Sequence, residues 1–225
     1  MTTFVLIPGA DGRAWYWHRL VPELRARGHD AVAVDLPSGD TVGLPGYTDA
    51  VVDAIGDRTG PVLVAQSLAG FTAPLVCGRV PVDGLVLLNA MVPVPGESAG
   101  EWWGNTGQEK AWTEHALRTG RGPDPQFDLQ TDFFHDVPPE VTAAAMAAGA
   151  GSGPSELLFS QPWPLEKWPD VPTRFLQGRD DRFFPIEFQR RVVRERLGIP
   201  VEELPGGHLL ALSQPVALAE SLATA

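Results

Sequence analysis

Cysteine is almost absent from the chain. Cys77 stands alone, so no internal disulfide can form, and within the apolar segment FTAPLVCG it reads as a buried, inert thiol. Long hydrophobic runs are also lacking. The N-terminal stretch MTTFVLIPGADG has no basic start, and its four-residue apolar run ends at Pro8 and Gly9, too short for a signal-peptide core or a membrane span. No membrane association is expected, and the expected compartment is the cytoplasm. Positive charge is scarce: 17 Lys and Arg face 28 Asp and Glu, for a net charge of −11. That balance works against nucleic acid and anionic lipid as partners, because both are bound through a basic face. The one basic concentration, Arg190, Arg191, Arg194 and Arg196, has the spacing of a solvated helix face. No histidine pair has metal-site spacing with a carboxylate, and no Gly-Lys-Ser/Thr follows the loop IPGADG, so neither a metal nor a nucleotide cofactor is expected.

What is present suits one folded domain with an insertion. The 225 residues are 44% hydrophobic and 20% charged, and both kinds are spread along the chain. Short apolar runs alternate with amphipathic ones: FVLI (4–7), a helix over 15–27, AVAVD (31–35), a helix over 48–58, PVLVAQ (61–66), a helix over 68–77 and GLVLLN (84–89). Strands that are apolar throughout, separated by helices, predict a mostly parallel, doubly wound sheet covered on both faces. After Asn89 the rhythm breaks for about 75 residues rich in Gly, Pro and Trp. It resumes with PTRFLQG (172–178), a helix over 187–197, VEEL (201–204) and a helix over 215–223. The expectation is a six-stranded α/β core from 1–90 and 168–225, with a helical cap inserted at 91–167. Within the insertion, AAAMAAGA reads as a short helix ending at Gly149.

The strand PVLVAQ runs straight into Ser67 and a helix, through Ala65-Gln66-Ser67-Leu68-Ala69-Gly70. A serine on so tight a strand-to-helix turn needs small residues two places before and two after, and alanine fills both. The motif alone is weak, since serine between alanines is common in helices. Its place at the end of a central strand strengthens it, because open α/β sheets hold ligands there. The Leu68 N–H at the helix start is one candidate oxyanion donor, and the Ala10 N–H in the loop Ile7-Pro8-Gly9-Ala10-Asp11-Gly12 is the other.

A serine hydrolase of this chain order needs an acid and then a histidine on later loops. PTRFLQGRDDRFFP offers Asp180 and Asp181 after a strand, and VEELPGGHLLALSQP offers His208 after another. His208 suits the base, with the acid fixing its tautomer. The residues themselves leave Asp180 and Asp181 as alternatives, since neighbours in a loop point different ways. His18, His29, His115 and His135 read as surface or substrate-lining groups.

With these residues in hand, the chain resembles the branch of the α/β-hydrolase superfamily that holds plant methylesterases, hydroxynitrile lyases and small bacterial hydrolases. The resemblance rests on FVLIPGADGRAWYWHRLVPELRARGHDAVAVDLPSG, VLVAQSLAG, PGESAGEWW, RDDRFFPIEFQRR and GGHLLALSQP. It implies the α/β-hydrolase fold and a Ser-His-Asp mechanism without a cofactor. It also implies Asp181 as the acid, because the family's acid stands four residues before the proline. Pro8 replaces the family's usual histidine, and alanines replace glycine around the serine, yet no reacting group is lost. The lyases of this branch use a threonine and a lysine where this chain has Gly9 and Leu209, so cyanohydrin cleavage is disfavoured.

The insertion carries Trp102, Trp103, Trp112, Phe133, Phe134, Phe159 and Trp163. Any one ring is as readily a packing residue, but together they imply a greasy pocket. Trp102, Trp103, Phe133, Phe134, Phe159 and Trp163 are the candidate substrate-binding residues. The expected partner is therefore a small apolar or aromatic ester, lactone or thioester. Cofactor-free proton-transfer chemistry, or a ligand-binding pseudo-hydrolase, is the alternative. A homodimer is left open.

Overall fold

The computed structural model describes residues 1–148 and 153–224. Its six strands are β1 (Thr3–Ile7), β2 (Asp30–Ala33), β3 (Val62–Gln66), β4 (Gly84–Leu88), β5 (Thr173–Gly178) and β6 (Glu202–Leu204). They form one sheet in the order β2-β1-β3-β4-β5-β6, with every neighbouring pair parallel. β3 and β4 are buried at every position, as strands with helices on both faces must be. This is the doubly wound sheet that the apolar runs predict.

The helices are α1 (Leu20–Ala26), α2 (Leu44–Ile55), α3 (Ala73–Cys77), α4 (Ala99–Thr106), α5 (Gln108–Arg118), α6 (Leu129–Asp132), α7 (Pro139–Ala147), α8 (Glu156–Ser160), α9 (Ile186–Leu197), α10 (Leu210–Ser213) and α11 (Pro215–Ala223). On one face, α1, α10 and α11 bury Leu20, Leu24, Leu210 and Leu218 against Phe4, Leu6, Val64 and Val86. On the other, α2, α3 and α9 bury Val51, Ile55, Val76 and Val192 against Val5, Leu63, Leu85 and Leu87. The chain begins mid-sheet, steps outward to β2, then crosses over β1 to β3. The order therefore reverses between β1 and β3, which opens a crevice beyond their carboxyl ends. The loop at Pro8 and the turn at Ser67 both face that crevice.

Three predicted helices differ from those observed, each at a proline. The helix over 15–27 is a 3-10 turn at Ala14–Trp17 followed by α1, because Pro22 fits a first helical turn and would clash in a continuous helix. The helix over 68–77 is likewise a 3-10 turn, Ser67–Gly70, followed by α3 with Pro74 in its first turn. α2 begins at Leu44, four residues early, with Pro45 in its first turn and the Leu44 N–H donating to Gln161 Oε1 at 2.7 Å. Cys77 is half-buried, its thiol donates to the Ala73 carbonyl at 3.4 Å, and burial pushes its pKa up to about 11. It is an inert thiol at neutral pH.

Between β4 and β5 the chain runs through α4 to α8. Ser98 and Glu101 start α4 with reciprocal bonds, Glu101 N–H to Ser98 Oγ at 3.2 Å and Ser98 N–H to Glu101 Oε2 at 2.9 Å. Asp132, fully buried, takes donors from Trp112 Nε1 at 3.0 Å, Arg121 Nη2 at 3.1 Å and the Asp128 N–H at 2.8 Å. The predicted end of the Ala-rich helix at Gly149 lies outside the described residues; α7 is seen to Ala147. The arginine run on α9 is more than a solvated face. Arg196 pairs with buried Glu97, and Arg191 donates to the Thr106 carbonyl, so two of the four fasten α9 to the start of the inserted segment. Among the described residues no helix is long and apolar enough to cross a membrane.

Candidate active site

Ser67 has φ of 53°, a left-handed conformation that a residue with a Cβ adopts only when its surroundings force it. β3 ends at Gln66, and the chain must reverse at once into the 3-10 turn. Ala65 and Ala69 flank the serine, both buried. The segment after β4 lies directly on the turn: the Met91 N–H donates to the Ser67 carbonyl at 3.0 Å, and a Cβ on Gly70 would overlap the Met91 carbonyl oxygen. Across the crevice, Gly9 approaches so closely that a Cβ there would lie 2.9 Å from Ser67 Cβ. Close approach requires glycine at both places, of the Met91 backbone at Gly70 and of the Gln66 and Ser67 side chains at Gly9.

His208 Nε2 lies 3.2 Å from Ser67 Oγ, and its Nδ1 lies 2.8 Å from Asp181 Oδ2. With Nδ1 donating to the carboxylate, the Nε2 lone pair faces the serine hydroxyl. The Asp181 carboxylate is fully buried and takes five donors. The Phe183 and Phe184 N–H groups reach Oδ1 at 2.9 Å each, while His208 Nδ1, Asn89 Nδ2 at 2.8 Å and Gln177 Nε2 at 3.0 Å reach Oδ2. Asp180, the other candidate, instead accepts from the Gly206 N–H at 3.1 Å and donates its own N–H to the Gly206 carbonyl at 2.9 Å. It ties the two loops and does not touch the imidazole.

Asn89 and Gln177 were not singled out by sequence reasoning. Asn89 follows β4 at φ of 46°, a conformation that asparagine tolerates well. Its Oδ1 accepts the Gly178 N–H at 3.0 Å, and its Nδ2 also donates to the Gly207 carbonyl at 3.0 Å. One side chain thus holds the acid, its strand and the loop that carries His208. The available signal was a lone polar residue closing an otherwise apolar strand. Asn89→Ala is expected to lower kcat/KM on an ester about 10–100-fold, as the base drifts from the serine. Unaltered steady-state kinetics would show that the loop holds without it.

Rings enclose the His208 imidazole. Phe133 stacks on His208 with centroids 4.7 Å apart, and Phe183 and Phe184 meet it edge-on at 5.5 and 5.2 Å. A cavity of about 410 Å³ opens above Ser67 and His208. Of the six candidate substrate-binding residues, Trp103, Phe133, Phe134 and Phe159 line it, together with Phe183 and Met146. Trp102 and Trp163 require correction: both are core residues outside the cavity wall, their indole N–H groups spent on the carbonyls of Val92 and Phe71 at 3.1 Å each. A buried indole usually finds an acceptor, and the packed interior supplies one for both of these. Ala10 and Leu68 both line the cavity, and neither N–H has a backbone acceptor among the described residues. None of His18, His29, His115 and His135 is in the cavity wall. A more open depression of about 530 Å³, bordered by α2 and Gln161, holds no serine, cysteine or histidine among the described residues.

Comparison with known proteins gives consistent results. A sequence model of the alpha/beta hydrolase family matches residues 4–221. The pyrethroid hydrolase of Sphingobium wenxiniae is 30% identical over 245 residues, covering 99% of this chain and 87% of that protein. The alpha-hydroxynitrile lyase of Arabidopsis thaliana is 26% identical over 245 residues, covering 97% of this chain and 95% of that one. Among solved structures, a pyrethroid hydrolase from Sphingobium faniae superposes with a TM-score of 0.74 at 26% identity, over 99% of this chain and 96% of its own.

Proposed function

This chain belongs to the alpha/beta hydrolase family, and from that premise we propose that it hydrolyses carboxylic esters, with Ser67 as nucleophile, His208 as base and Asp181 as the acid that orients it. The observation that carries the reading is the unbroken Ser67–His208–Asp181 hydrogen-bond chain at the floor of an apolar cavity. Ser67 Oγ attacks the ester carbonyl as its proton passes to His208 Nε2. The carbonyl oxygen, now an oxyanion, is held by the Ala10 and Leu68 N–H groups, each worth on the order of 10²–10³ in rate. Collapse breaks the bond to the alcohol oxygen, which leaves with the proton from His208. Water then repeats the cycle on the acyl-enzyme and frees the acid. Buried Asp181 stabilises the imidazolium formed in each half-reaction.

Residues 91–167 act as a cap on the 1–90 and 168–225 core and give the cavity part of its aromatic wall, with Trp15, Tyr16 and Phe183 of the core supplying the rest. The substrate in this reading is a small molecule with an apolar or aromatic acyl or alcohol part, and lactones and thioesters yield to the same steps. The similarity to a hydroxynitrile lyase favours one second reading, in which His208 moves a proton without an acyl-enzyme. Leu209 weighs against cyanohydrin cleavage: it lines the cavity beside the base and offers no positive charge to a departing anion. The test is release of p-nitrophenol from p-nitrophenyl acetate together with covalent capture by a fluorophosphonate. The expected result is steady turnover and a single adduct mapped to Ser67 by peptide mass spectrometry. A protein that takes no adduct and releases p-nitrophenol no faster than buffer would refute the proposal.

A further inference from the structure

Three neighbouring strands of the sheet centre carry a carboxamide at or beside their carboxyl ends: Gln66 closes β3, Asn89 follows β4, and Gln177 is the next-to-last residue of β5. All three are buried. Asn89 and the Gln177 NH₂ group are spent on Asp181 and the loops around it, while Gln177 Oε1 is enclosed without a partner among the described residues. Gln66 differs from both. The residue is only 4% exposed and lines the cavity, no hydrogen bond to its side chain is seen among the described residues, and its amide is not among the fully enclosed polar groups, so it is open to the cavity. A polar group bound in the cavity can take up this free hydrogen-bonding capacity.

The position of this amide is well defined. A Cβ on Gly9 would overlap Gln66 Oε1, so the group lies against Gly9, one residue from the Ala10 N–H and one from Ser67. By strand alternation Gln66 follows Val62 and Val64 onto the sheet face where Tyr16 packs. Tyr16 also lines the cavity, and its oxygen accepts the Ala211 N–H at 3.4 Å while its own proton has no acceptor among the described residues. Burial pushes this phenol far above its ordinary pKa, so it stays a donor. The neighbouring wall, Trp15, Leu209 and Leu212, is apolar. Hydrogen-bonding capacity thus lies beside the nucleophile within a largely apolar wall, whose charged side chains are Asp11 and Arg13.

We propose that Gln66 is a specificity residue that binds a hydroxyl or carbonyl oxygen on the acyl part of the substrate, one bond from the scissile carbonyl. The enzyme therefore favours esters of 2-hydroxy and 2-oxo acids over unsubstituted ones. The inference rests on the ester-hydrolase reading. A carboxamide both donates and accepts, so it serves either oxygen. A site built to bond a polar group discriminates against an analogue lacking it, because its own groups are then left unpaired.

The test compares ethyl mandelate, ethyl benzoylformate and ethyl phenylacetate, each kcat/KM divided by the rate of hydroxide-catalysed hydrolysis to remove intrinsic reactivity. Wild type is expected to favour both oxygenated esters by about 10-fold or more. In Gln66→Leu both normalised preferences should fall to within about twofold of unity. Gln66→Glu, an acceptor only when ionised, should keep the preference for the hydroxy ester and lose that for the oxo ester. This split decides the matter even where the leucine variant does not fold. Equal normalised rates in wild type, or preferences that persist in a folded Gln66→Leu protein, overturn the role of Gln66. If no ester is cleaved and Ser67 takes no fluorophosphonate, the hydrolase reading itself has failed and the inference falls with it.

Discussion

Ser67→Ala is expected to lower kcat for p-nitrophenyl acetate by about 10⁶-fold and to abolish fluorophosphonate labelling. Alanine removes the attacking oxygen and leaves the turn otherwise intact, so the thermal unfolding midpoint should move little. His208→Ala should cost a similar factor, and the double variant no more than either alone, because the two side chains act as a unit. The residual rate belongs to the cavity and the two backbone donors, which neither substitution touches. Retained catalysis of any reaction by Ser67→Ala, with loss in His208→Ala, would instead identify proton abstraction without an acyl-enzyme. A rate within tenfold of wild type for Ser67→Ala on the ester would end the nucleophilic reading.

Asp181→Asn is expected to lower kcat about 10⁴-fold. Two backbone N–H groups converge on Oδ1, so the asparagine oxygen must stay there and its NH₂ must turn toward the side occupied by His208, Asn89 and Gln177. A donor then faces Nδ1 in place of an acceptor, and the ring takes the tautomer with its proton on Nε2. That nitrogen can no longer accept from Ser67. Asp180→Asn is the control. Its carboxylate meets a backbone N–H and not the ring, so kcat should stay within about threefold of wild type. The check is a pair of progress curves at saturating ester, and comparable losses in both variants would count against Asp181 as the orienting acid.

The sheet could be read from the sequence because its signal is local. Runs such as VLVA and LVLL are apolar at every position, which only a strand covered on both faces tolerates. Helix limits were less clear wherever a proline stands in a first turn, as at Pro22, Pro45 and Pro74, since the surrounding periodicity continues across the break. Ser67, Asp181 and His208 could be singled out by their order and by the strand ends they follow. The residues that hold them were harder to find. Asn89 matters through contacts with residues 89 and 118 places away, and nothing in its neighbourhood announces those partners. The tryptophans of the insertion show the same limit from the other side. Composition places Trp102, Trp103 and Trp163 in one class, yet only Trp103 lies in the cavity wall, because the choice depends on whether a carbonyl waits for each indole N–H. Sequence periodicity carries burial well and long-range pairing poorly.

Phe133 stacks on the His208 ring, and three positions further on Asp136 receives the Gly207 N–H at 2.7 Å from the loop that carries this histidine. The inserted segment is therefore not an interchangeable module. Grafting a homologous insertion onto this core would replace a wall of the base together with a wall of the pocket, so a chimera built to change substrate range would alter turnover on every substrate. Directed evolution of this scaffold has more freedom at Trp103, Phe134 and Phe159, which border the cavity and make no ring contact with the imidazole. Residues 133 to 136 belong, in evolutionary terms, to the catalytic core they lean on, and diversity among natural relatives should be least there and greatest along the rest of the rim.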